Sequence, residues 1–236
     1  MAEREPSAAA ILEALTVPYA KARGANRWVE KTPNHIRNLD TLRALWPHAV
    51  IIRILRDPRD AALSMRHLPT FSDAILPNIY LWQRWHAQAE PFFSSDPRAI
   101  SVRYEDLVED PEAHLRAECE VIGVAVDTAM IAFSDAAGDV SSANETWKKG
   151  VASGLTASRK FAWKTGLPPE WRGVCDLVCH ELLIAHGYEA SAEPTRTRTA
   201  FRMSPRCVER QQEALRHLAE KGERWRPSED PLAADR

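Results

Sequence analysis

The sequence predicts an α/β fold, a three-layer arrangement with a parallel sheet and flanking helices, and three observations point to it. AVIIRIL (49–55) is nearly continuous in apolar residues and rich in β-branched ones, the pattern of a strand buried on both faces of a parallel sheet. It runs straight into RDPRDAALSMRH (56–67). There Asp57 is a good helix cap, and Pro58 takes the first helical position, where its missing N–H costs nothing. AISVRY (99–104) is a second buried strand, separated from the first by helical sequence and followed by a second Asp-Pro pair, Asp110-Pro111. Strands that alternate with helices pair in parallel.

The elements follow in order. Residues 8–23 read as a helix interrupted or ended near Pro18, because proline lacks a donor and crowds the preceding turn. Trp28 and Val29 close a short strand. Asn34 caps a helix that places Ile36, Leu39, Leu42 and Leu45 at helical spacing. A longer helix over 77–93 presents Trp82, Trp85, Ala89 and Phe92 on one face. The helix after Asp110-Pro111 turns Leu115, Cys119 and Ile122 inward and ends at Gly123 in a left-handed cap. Residues 127–137 and 172–186 are further helices, the latter ended by Gly187. Past Glu189 the chain turns to Thr, Ser, Pro and Arg, so the predicted organisation is a domain over 1–189, then a linker and a charged C-terminal helix over 190–236. Val208, Leu215 and Leu218 give that helix a thin apolar stripe.

Composition narrows the function. With 44% hydrophobic and 27% charged residues, the 236-residue chain has the make-up of an ordinary globular domain. A net charge of −2 supplies no general attraction to nucleic acid or to an anionic membrane. No apolar run is long enough for a membrane span, and MAEREPSAAAILEAL lacks the continuous apolar core of a secretory signal. Four irregularly spaced cysteines suit a reduced, cytoplasmic protein better than a disulfide framework, and neither they nor the histidines have metal-site spacing. Glycines number 9 against 16 prolines, and no Gly-rich phosphate loop of the common patterns occurs.

The residues that can carry chemistry sit where strands end. In open α/β sheets, ligands bind at the carboxyl ends of strands, where helix N-termini present free N–H groups. Arg56 lies at such a junction, and Ser64 lies two helical turns beyond Asp57; a guanidinium and a hydroxyl on one spot make a phosphate site. Equally, Asp57 merely caps the helix while Arg56 pairs with a surface acid. Glu30, Lys31 and His35 lie in EKTPNH: Lys31 is a mobile cation for an anion, and His35 is a titratable group for proton transfer. Tyr104 ends the second strand, where an aromatic can stack on a base or simply pack. Arg159 and Lys160 belong to a basic stretch that can close over a phosphorylated ligand or stay solvated.

Taken together, Glu30-Lys31-Thr32-Pro33, Arg56-Asp57-Pro58-Arg59-Asp60 leading to Ser64, Arg103-Tyr104-Glu105-Asp106-Leu107 with Asp110-Pro111, and Gly187-Tyr188 resemble, in order, the motifs of sulfotransferases that use 3′-phosphoadenosine-5′-phosphosulfate (PAPS). The resemblance covers about residues 8–189. It implies that Arg56 and Ser64 hold the 3′-phosphate of the donor, that Lys31 lies near the transferring sulfuryl group and its bridging oxygen, and that Tyr104 touches the adenine. Arg159-Lys160 resembles a loop that covers the 3′-phosphate. The implied reaction is in-line attack on sulfur by an acceptor hydroxyl or amine, with adenosine 3′,5′-bisphosphate leaving and no metal required. Glu30 and His35 are the nearest candidates to take the acceptor proton.

Members of that family begin with a strand and a phosphosulfate-binding loop upstream of the Glu-Lys-Thr-Pro element, and no such loop is found before Lys31. The expected fold therefore lacks its first strand and loop, leaving apolar surface that a homodimer would cover. The alternative expectation is a truncated or non-catalytic nucleotide-binding protein that keeps only the 3′-phosphate half-site. The acceptor is a small molecule, a saccharide or a lipid, met by the loop around 69–78.

Overall fold

Three of the described α-helices start at short polar caps. Ser7 accepts from the Ala10 N–H and opens α1 (Ala8–Ala22). Asp57 accepts from the Arg59 N–H and opens α3 (Pro58–Met65), while Asp110 accepts from the Ala113 N–H at 3.1 Å and opens α6 (Pro111–Ile122). Between them run α2 (Leu39–Leu45), β1 (Ile51–Leu55), α4 (Ile75–Ser95), β2 (Ala99–Arg103) and α5 (Tyr104–Glu109). After α6 come α7 (Trp163–Gly166) and α8 (Pro169–Ala185). The structure, a computed structural model, describes residues 7–68, 71–131, 159–190 and Arg216. The predicted linker and C-terminal helix, Arg216 aside, and most of the predicted 127–137 helix lie outside the described residues. Of the latter, Thr128–Met130 forms a single 3₁₀ turn.

Among the described residues the sheet has two strands, β1 beside β2 in parallel, so the mixed α/β architecture with parallel pairing holds. Gly123 and Gly187 end α6 and α8 with φ of 71° and 67°, the left-handed region that glycine enters without penalty. Replacing Asp110 by Ala removes the α6 cap and is expected to destabilise the protein by about 1 kcal/mol. An unchanged urea midpoint would refute that role.

Several local expectations are corrected. Pro18 neither ends nor interrupts α1: Pro18 and Ala14 are both exposed, so water can bond the carbonyl that the proline leaves without a donor. Trp28 and Val29 form no strand; Trp28 packs edge-on against Trp46 instead, with ring centres 6.0 Å apart, and Val29 is solvent-exposed. The single helix expected from Asn34 is two pieces, a 3₁₀ turn over Pro33–Arg37 and then α2, divided at Asn38. Asn34 caps neither piece. β1 is buried on one face only, and its burial inverts the apolar expectation: Arg53 and Leu55 point inward, whereas Ile52 and Ile54 are 39% and 57% exposed. Arg53 tolerates the interior because Glu90 accepts from it at 3.0 Å and the ring of Phe93 lies 4.2 Å from its guanidinium.

The chain divides into two units, Met1–Arg53 with Gln88–Ile100 and Ile54–Ala87 with Ser101–Arg236. In the first, Arg43 organises the packing: its guanidinium donates to both carboxylate oxygens of Asp96 and to the carbonyls of Pro47 and Ala49. Trp46 donates its indole N–H to Glu13 of α1 at 2.8 Å. In the second, Leu55, Ala62, Ile79 and Trp82 pack with Trp163, Leu167, Val174 and Leu183 into the main core. There α3 lies against α7 and α8.

Candidate functional site

In the second unit, β1 stops at Leu55 and the chain turns directly into α3, so the five residues of RDPRD have separate fates. Arg59 is turned inward and only 2% exposed. Its Nε and one terminal nitrogen fork onto both oxygens of Asp57, at 2.9 and 2.8 Å. The guanidinium also reaches Asp176 of α8 at 3.2 Å and the Glu189 carbonyl at 2.7 Å, and it lies 3.7 Å from the centre of the Trp163 ring. Burial alone would lower its pKa, but the hydrogen bond and charge of Asp57 outweigh this and raise it. Asp60 is buried too, and one of its oxygens accepts from the Trp163 N–H at 2.8 Å. Burial raises the pKa of its carboxyl, opposed by that backbone bond and by the charge of Arg56.

A second buried acid sits beneath the turn. Glu105, completely buried in α5, accepts from the Asp57 N–H at 2.9 Å and from the Tyr188 hydroxyl at 3.0 Å. One carboxylate thus ties the end of β1 to the segment after α8. Burial, and then the Glu105 charge, push the Tyr188 phenol well above its ordinary pKa.

Arg56 is the member of the motif that stays available. Its side chain is 20% exposed, one terminal nitrogen donates to the Arg159 carbonyl at 2.7 Å, and another contact runs to Asp60 at 3.9 Å. The Tyr104 ring centre lies 4.9 Å from the guanidinium, and the Arg56 Nε is shielded from solvent with no hydrogen-bond partner. A cation held on one side by the chain, with an unpartnered donor, fits an anionic ligand group. Ser64 lies half-buried in the last turn of α3. Arg56, Tyr104 and Arg159 are therefore brought together, the last through its main chain rather than its guanidinium. Lys160 is paired with Glu109, whose carboxyl is held below its usual range by that hydrogen bond.

In the first unit the structure brings Glu30 and His35 together. One Glu30 oxygen is 2.9 Å from the His35 Nδ1, and the other accepts from the Thr32 hydroxyl. This arrangement explains why neither Asn34 nor Thr32 caps a regular helix: the turn over Pro33–Arg37 closes on the Glu30 side chain instead. A carboxylate at Nδ1 holds an imidazole with Nε2 outward, ready to accept a proton. Lys31 is exposed beside this pair.

The sequence places Arg103 in the motif that ends the second strand but assigns it no role of its own. The last residue of β2, it lies at a strand's carboxyl end, as Arg56 does, with its guanidinium 4.6 Å from the Tyr188 ring centre and its Nε shielded and unpartnered. Among the described residues no group of acidic, His or Cys side chains is arranged to hold a metal ion, and no helix is long and apolar enough to cross a membrane.

A family model described as the sulfotransferase family matches residues 2–128, more than half of the chain. The Glu30–Pro33, Arg56–Ser64 and Arg103–Pro111 motifs all fall within that match. No curated protein matches the chain.

Proposed function

The chain belongs to the sulfotransferase family, and from that membership we propose that it moves a sulfuryl group from PAPS to a hydroxyl or amine acceptor. Bound PAPS would supply the sulfuryl group and depart as adenosine 3′,5′-bisphosphate. The observation that carries this reading is Arg56, a partly exposed guanidinium with an unpartnered Nε at the carboxyl end of β1. Arg56 and Ser64 hold the 3′-phosphate, the guanidinium as a charged donor and the hydroxyl as a neutral one. Tyr104 lies against the adenine, and Arg159 and Lys160 border the phosphate. Lys31 offers positive charge where negative charge builds on the bridging oxygen. His35, oriented by Glu30, takes the proton of the acceptor through Nε2. These roles belong to the 1–189 domain. Its unpaired thiols Cys119, Cys175 and Cys179 accord with a cytoplasmic setting.

Calorimetric titration tests the assignment. Arg56→Ala is expected to weaken adenosine 3′,5′-bisphosphate binding by about 1.5–3 kcal/mol, the scale of a charged hydrogen bond. Binding of 5′-AMP, which lacks the 3′-phosphate, should change little. Equal losses for both nucleotides would show that Arg56 does not read that phosphate.

A further inference from the structure

A helix on the surface of a globular protein ordinarily turns charged and polar side chains to water, and α1 does not. Of its nine exposed residues only Lys21 is charged; the others are alanines, Pro18, Ile11, Leu15 and Tyr19. Ile11, Leu15 and Tyr19 are 53%, 70% and 60% exposed, and their spacing of four stands them one above another in a stripe. The opposite side of the helix already has its partners: Ala20 is buried and Glu13 accepts from the Trp46 indole. The Arg23 guanidinium lies 3.6 Å from the Tyr19 ring centre and holds that ring in place.

The stripe is complementary to itself. Ala8, Ile11, Leu15, Tyr19 and Ala22 are spaced symmetrically about Leu15, the middle residue of the helix. A second α1, reversed about a two-fold axis at Leu15, sets Leu15 on the partner's Leu15, Ile11 on its Tyr19 and Ala8 on its Ala22. Charge selects this orientation over a parallel one. Residues 3–13 hold Glu3, Glu5 and Glu13 against Arg4, whereas residues 14–29 hold Lys21, Arg23 and Arg27 and no acid. Antiparallel helices bring each basic end to the partner's acidic end and oppose the two helix dipoles; parallel helices would stack the basic ends. We propose that this face of α1 docks a second copy of the chain in an antiparallel two-helix seam centred on Leu15. One face of a 15-residue helix, about 22 Å long, offers less than the ~800 Å² per partner of a standard interface, so the dimer is a weak, concentration-dependent one. The inference stands independently of the sulfuryl-transfer reading.

Sedimentation velocity on the full chain, over about 1–300 μM, tests this in the range of weak association. The average mass should climb from that of a monomer towards that of a dimer. Leu15→Lys and Leu15→Glu should each weaken association by about a hundredfold, because at the axis each new charge meets its own copy. Leu15 is exposed, so neither variant should move the urea midpoint. Mixing the two variants should restore the dimer, which a folding defect would not allow. Ile11→Glu alone should weaken the dimer, and Tyr19→Lys in the same chain should recover it, since only antiparallel helices set those unlike charges opposite each other. The proposal fails if the chain stays monomeric throughout, as it would if residues 190–236 or another protein covered the face. It fails equally if the dimer withstands Leu15→Lys, or if the oppositely charged variants do not pair.

Discussion

Arg59→Ala is expected to be the most damaging single substitution in the motif, costing about 3–5 kcal/mol of folding stability, because it strands buried carboxylates without their counter-ion. Asp57 would lose both arms of its fork, Asp176 its contact across to α3, and the Glu189 carbonyl its donor. Trp163 would lose the cation that lies against its ring. Arg59→Lys should recover only part of the loss, since an ammonium cannot span both oxygens of Asp57 and reach Asp176 and Glu189 at once. Urea denaturation of the three proteins measures this. Equal midpoints for wild type and Arg59→Lys would mean that charge alone, not the fork, holds the turn.

Glu105→Leu is the second large effect. It leaves the Asp57 N–H and the Tyr188 hydroxyl without an acceptor in the interior, at about 1–3 kcal/mol for each orphaned donor. Tyr188→Phe removes the hydroxyl alone and should cost less, because Glu105 keeps its bond to the Asp57 N–H. A double-mutant cycle should show the two substitutions to be strongly non-additive, as expected of residues that share a hydrogen bond; simple additivity would refute the contact. The same bond has a signature in pH. The folded protein holds the Tyr188 proton more tightly than the unfolded chain does, so this stabilisation is fully present at neutral pH and is lost above about pH 10, where a free tyrosine ionises. Tyr188→Phe should flatten that alkaline loss.

These two residues mark a limit of sequence reading. Arg59 and Glu105 stand inside RDPRD and RYEDL, motifs legible at sight, yet their neighbours in sequence drew the functional assignments. Arg56 and Arg59 are chemically identical. Only the packing of α7 and α8 over α3 turns Arg59 inward and leaves Arg56 with an unpartnered Nε. The pairing of Glu30 with His35 was within reach of the sequence, five positions apart on one tight turn, but the bond itself depends on how Pro33 bends the chain.

The sequence by itself determined what a few neighbouring residues decide. The Asp-Pro starts of α3 and α6, the glycine ends of α6 and α8, and the two strands with a helical crossover between them all appeared where they were read. Each depends on a cap, a fixed φ or a run of β-branched residues, all of which act within one turn or one strand. Tertiary structure decided which face of β1 is buried and which arginine of the motif is a strut. Those outcomes are set by Glu90 and Phe93 for Arg53, and by Asp176, Glu189 and Trp163 for Arg59. A buried charge is tolerated only where such partners converge, and no local pattern encodes partners that lie 37 residues away for Arg53 and 117 or 130 for Arg59.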